Sequence, residues 1–141
     1  MRRVAMTGLY LGLVLACLSW TGTLVSYAYR GAWTLDLAAG IYWVTVIAWL
    51  WLGWRFAAAY GTLSSAFGSG AVAGAVLGVL TAIVQIFVPA SALPSTLGGT
   101  GNVAVVIGEV LVTALIGAVL AALGYSVSRL LQRLLPGRQE K

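Results

Sequence analysis

Four long apolar runs divide this chain, and charge, proline and glycine collect between them. The runs cover about 4–27, 36–56, 68–88 and 103–127. Each fits the roughly 20 residues that a helix needs to span a bilayer core. In the third run Gly70, Gly74 and Gly78 recur every four residues, and Ala82 continues the row. Residues four apart share a helix face, so this helix offers a flat groove of the kind that packs helices inside membranes. The pattern places it near the centre of a bundle. Gly8, Gly12 and Ala16 form a similar row on the first helix, and the two rows are expected to meet.

The boundaries follow from local chemistry. Arg2 and Arg3 precede the first run, and Ser26-Tyr-Ala28 has the small-x-small form of a leader cleavage site. The run is longer than the 7–15 apolar residues of a leader, so a retained first helix is expected. A loop from Ala28 to Leu35 carries Arg30 and Trp33. Asp36 then suits the unpaired N–H groups and dipole at the start of the second helix, or an ion pair with Arg30. That helix carries Tyr42, Trp43, Trp49, Trp51 and Trp54. Trp33 and Trp54 fall where an interfacial aromatic belt belongs, whereas Trp43, Trp49 and Trp51 lie deeper, to fill space beside glycines or to face lipid. Ala57 to Phe67 is expected to be a short connection. The third helix should stop at Pro89, because proline cannot continue an interior turn. Ala90 to Asn102 is a loop by composition. Its Gly98-Gly-Thr-Gly101 is no phosphate loop, since no lysine follows and no strand precedes. The fourth helix keeps its period past Val127 to a stop at Pro136-Gly137. Arg129 and Arg133 share a face there, suited to reach lipid headgroups, and a basic tail of residues 128–141 follows the span.

Composition decides the class. Of the 141 residues, 61% are hydrophobic and 8% charged, against about 25% charged in a soluble domain. Such a chain cannot clothe a soluble surface. The expected fold is all-α, an integral membrane four-helix bundle forming a single transmembrane domain over 1–141. The net charge of +5 comes from 8 basic residues at helix ends, which reads as topology rather than nucleic-acid binding. With four spans, Arg2, Arg3, Arg55, Arg129, Arg133, Arg138 and Lys141 share one side and Arg30 stands alone on the other. Both termini are therefore expected in the cytoplasm, and the protein in the cytoplasmic membrane as a multi-pass chain.

Candidate chemistry is sparse. The chain has no histidine, which removes the commonest general base and metal ligand. The lone Cys17 forms no internal disulfide and is expected to be a small packing residue. No second carboxylate lies within a span, so catalysis is not expected, and neither is a metal or a cofactor. Polar residues gather in the outward halves of the helices: Ser19, Thr21, Thr23, Ser26, Tyr42, Thr45, Thr81, Gln85, Glu109 and Thr113. The other halves are nearly pure Ala, Val, Leu and Gly apart from Thr7. Glu109 lies about 9 Å inside the fourth helix at 1.5 Å per residue. Thr81 and Gln85 occupy a similar depth, and Thr113 follows one turn later, so the four form a candidate polar cluster. An ionisable residue inside a span is a functional hypothesis by default. Glu109 would bind a cation or proton in an outward cavity, or else pin the third and fourth helices together as a hydrogen-bonded carboxyl.

Gly8-Leu-Tyr-Leu-Gly12, the segment Gly61-Thr-Leu-Ser-Ser-Ala-Phe-Gly-Ser-Gly70 leading into a glycine-rich helix, and the basic end of the fourth helix form a familiar layout. It resembles a bacterial inner-membrane family known as domain of unknown function 4199. The resemblance extends over nearly the whole chain and implies four spans, with no activity and no functional residues to transfer. The expected function is that of a small structural or accessory membrane subunit. Its partners are the lipid bilayer and either further copies of itself or a larger membrane complex. A minimal oligomeric transporter or channel using Glu109 is the first alternative. The second is a lipid-binding module built on the tryptophan-rich helix.

Overall fold

The computed structural model describes residues 2–28, 33–59, 61–87 and 103–134. These residues fold as four helices: α1 (Arg2–Ala28), α2 (Trp33–Ala59), α3 (Leu63–Phe87) and α4 (Val103–Leu134). They contain 27, 27, 25 and 32 residues, or roughly 38–48 Å of helix. All four are long and apolar enough to cross a membrane. Their outer faces are apolar as well, with Leu24, Ile47, Leu111 and Leu115 each more than 60% exposed. A soluble bundle would turn polar residues outward at such positions. Arg30, the expected stop at Pro89, the loop Ala90–Asn102 and the tail beyond Leu134 lie outside the described residues.

The connection expected over Ala57–Phe67 is much shorter than that. Helix α2 runs on to Ala59, and α3 opens at Leu63 rather than Gly68. Two local devices make so tight a turn. Gly61 takes φ +70°, a conformation that costs glycine little, and its N–H donates to the Phe56 carbonyl at 3.1 Å. Thr62 then stands at the N-cap of α3. Its carbonyl accepts from the Ala66 N–H, as that of an N-cap residue does, and its hydroxyl meets that of Ser65 three residues on. The serines that looked like loop residues are the first turn of a helix.

The packing does not follow chain order. Helices α3 and α4 share the most extensive contact, α2 lies along α4, and α1 lies along α3. The consecutive pairs α1–α2 and α2–α3 touch much less. Gly70 faces Gly117 and Ala121, Gly74 faces Thr113, and Gly78 faces Val110, so α3 and α4 are antiparallel. Gly8 faces Ser69 and Val72, and Gly12 faces Ala73 and Val76, so α1 and α3 are parallel. The Trp20 indole N–H extends that contact by donating to the Leu80 carbonyl at 3.2 Å. The two glycine rows therefore do not meet. The row on α3 receives α4, while the row on α1 docks on a different face of α3, where Ser69 and Ala73 are small.

Backbones touch at these seams because no side chain intervenes. A Cβ on Gly12 would stand 2.7 Å from the Ala73 carbonyl oxygen. On the α2–α4 seam Gly53 abuts Ala121, and Gly124 abuts Leu50. The remaining interior is filled from α2. Trp49, 4% exposed, packs with Leu15, Ala16, Ala73 and Leu77, and its indole lies over Gly117. Toward the turn, Leu52, Phe56 and Ala66 form a second cluster. Trp43, Trp51 and Trp54 face outward instead. Cys17, expected as a packing residue, is exposed, because the small face of α1 is carried by Gly8, Gly12 and Ala16.

Candidate functional site

Two regions hold the polar chemistry of the bundle, one toward each end. Toward the end away from the chain termini, Thr81 lies on α3 and Glu109 and Thr113 on α4, the two helices that share the glycine seam. Gly78 meets the Thr113 hydroxyl, and a Cβ there would stand 3.5 Å from the Glu109 carbonyl oxygen. Thr113 donates to the carbonyls of Glu109 at 2.8 Å and Val110 at 3.2 Å. Glu109 and Thr81 are half-buried. Gln85 belongs to α3, but its side chain lies outside the described residues. Three of the other hydroxyls expected to line this half bond to their own helix. Thr21 donates to Cys17, Thr23 to Ser19 and Thr45 to Ile41, each at 2.8–3.0 Å. Such back-bonding satisfies the hydroxyl locally and removes it as a donor to a ligand.

The end that carries both chain termini is organised around Arg129. Tyr125, one turn earlier on α4, donates its phenolic O–H to the Gly61 carbonyl at 2.6 Å. Arg129 Nη2 donates to the same carbonyl at 3.1 Å. Its Nε donates to the Tyr125 oxygen at 3.2 Å, and Nη1 reaches Gln132 Oε1 at 3.4 Å. The guanidinium also lies 5.6 Å from the centre of the Tyr125 ring. Arg129 was expected simply to reach for headgroups, but it clamps the α2–α3 turn. The carbonyl of a tight turn accepts both donors because no helix partner uses it. Beside this clamp is a depression of about 580 Å³ lined by Tyr125, Ser126, Arg129, Leu130, Gln132 and Arg133. Arg55 stacks 5.4 Å from the Trp51 ring centre elsewhere at this end.

This end is also less apolar inside than expected, since Ser69 on α3 and Ser128 on α4 are buried in the bundle. The Ser69 and Ser128 hydroxyls and the Trp49 Nε1 are buried without a hydrogen-bond partner. Sequence reasoning missed four participants, Gly117, Ala121, Tyr125 and Gln132. The row Thr113, Gly117, Ala121 has the same four-residue spacing as the row on α3, and Tyr125 and Gln132 sit four before and three after Arg129. Among the described residues, no three of His, Cys, Asp or Glu stand together.

No protein-family model, curated protein or solved structure matches this chain.

Proposed function

We propose that the chain is a multi-pass protein of the cytoplasmic membrane, with both termini inside, acting as a structural or accessory subunit. The observation that carries this is the continuous line of backbone contacts at Gly70, Gly74 and Gly78 on α3 and Gly53 and Gly124 on α2 and α4. Such seams yield a stiff body, and hydroxyls folded back onto their own helices leave few groups to guide a solute. A stiff apolar bundle suits a part that holds neighbours in place. The orientation is supported by Arg3, Arg55, Arg129 and Arg133, which gather at one end of the described helices, following the positive-inside rule.

Glu109 sustains a second reading, because it is a half-buried ionisable residue inside α4 whose backbone lies close to α3. In that reading it couples proton or cation movement in an oligomer. Flux into liposomes containing the pure protein separates the two. The accessory role predicts no flux from the wild type or Glu109→Gln, with a lower melting temperature for the variant. Flux in the wild type that vanishes in Glu109→Gln overturns it in favour of transport.

A further inference from the structure

Among the described residues, the arginines at the terminal end have no acidic partner. The chain has three carboxylate residues. Asp36 opens α2 at the opposite end, Glu109 lies near the start of α4 toward that same opposite end, and Glu140 is outside the described residues. Arg129 is nevertheless held in place by Gly61, Tyr125 and Gln132, which leaves two of its five N–H donors unused. Gln132 accepts from Arg129 through Oε1, so its amide N–H2 group remains able to donate. Arg133 lines the same depression, and among the described residues it has no hydrogen bond or ion pair. A fixed guanidinium, a second one a turn away and an amide donor make a site for an oxyanion. Preorganising Arg129 lowers the ordering cost of binding, and paired guanidiniums match phosphate oxygens geometrically.

The apolar surroundings indicate which phosphate. Leu130 lines the depression, and it continues with Val127, Leu123 and Val119 as an exposed stripe running back toward the middle of α4. All four are at least 45% exposed. A headgroup in the depression would lay its acyl chains along that stripe. We propose that the Ser126–Arg133 face of α4 binds the phosphodiester headgroup of an anionic phospholipid, with Arg129, Gln132 and Arg133 on the phosphate. This rests on the membrane reading of the chain, which resistance to carbonate extraction tests separately.

The test uses the full chain in mixed micelles of phosphatidylglycerol and phosphatidylcholine, with retained lipid counted by native mass spectrometry. The wild type is expected to retain phosphatidylglycerol in preference to phosphatidylcholine. Arg133→Gln, which disturbs no internal contact, should reduce that retention about fivefold, the worth of one basic residue near a charged surface. Arg55→Gln removes the same charge from the same end outside the depression and should leave retention unchanged. Equal retention of both lipids by the wild type overturns the proposal. So does an equal loss in the two variants, which would mean diffuse attraction. Inorganic phosphate that binds the lipid-free protein as tightly, and is lost in Arg133→Gln, would assign the site to free phosphate and overturn the lipid source.

Discussion

Ser69 and Ser128 each bury a hydroxyl that finds no partner, although serine in a helix commonly bonds the carbonyl one turn back. An unpaired buried hydroxyl costs about 1–3 kcal/mol. Ser69→Ala and Ser128→Ala are therefore expected to leave the melting temperature in detergent unchanged or raise it, which is unusual for fully buried sites. Tyr125→Phe should do the opposite. It keeps the ring against Leu52 and Phe56 and loses the bond to Gly61, a cost of about 1 kcal/mol visible as a lower unfolding midpoint. These two behaviours were unequally legible beforehand. A tyrosine four residues before an arginine is visible in the sequence, but the carbonyl they share belongs to a turn 64 residues away. No local pattern announces such a partner.

The helices themselves were easier to read than their neighbours. Each apolar run became a helix, and the small-residue rows marked faces where backbones come close. What a row cannot state is which helix lies against it. Helix α3 has two small faces, one through Gly70, Gly74 and Gly78 and another through Ser69 and Ala73. The row on α1 was equally suited to either. The decision rests with α4, whose Thr113, Gly117 and Ala121 fit the glycine face and leave the serine–alanine face to α1. Glycines also differ in what they contribute. Gly74→Val would drive a side chain into the Thr113 backbone, beyond what relaxation absorbs in ordinary overpacking of about 1–3 kcal/mol. Size-exclusion chromatography of this variant should show loss of the monodisperse species. Gly40 has nothing within 4 Å of its Cβ position, so Gly40→Ala should be neutral or stabilise by up to about 1 kcal/mol through helix propensity.

Taken together, the four helices form two unequal halves. The C-terminal pair α3–α4 is joined by the longest seam in the bundle, whereas α1 and α2 meet lightly and lean on α3 and α4 respectively. A fragment of residues 61–141 should therefore accumulate in membranes as a protease-resistant hairpin, and a fragment of residues 1–60 should be degraded. Pulse-chase labelling distinguishes them, and equal survival of the two would contradict this division of the bundle. The same asymmetry sets a timetable for biogenesis. Chains elongate at about 5–20 residues per second, so α1 and α2 enter the bilayer on the order of ten seconds before α4 is complete. During that interval the leading pair has few internal contacts to hold it. Its stability is borrowed from contacts that form only once the second hairpin arrives.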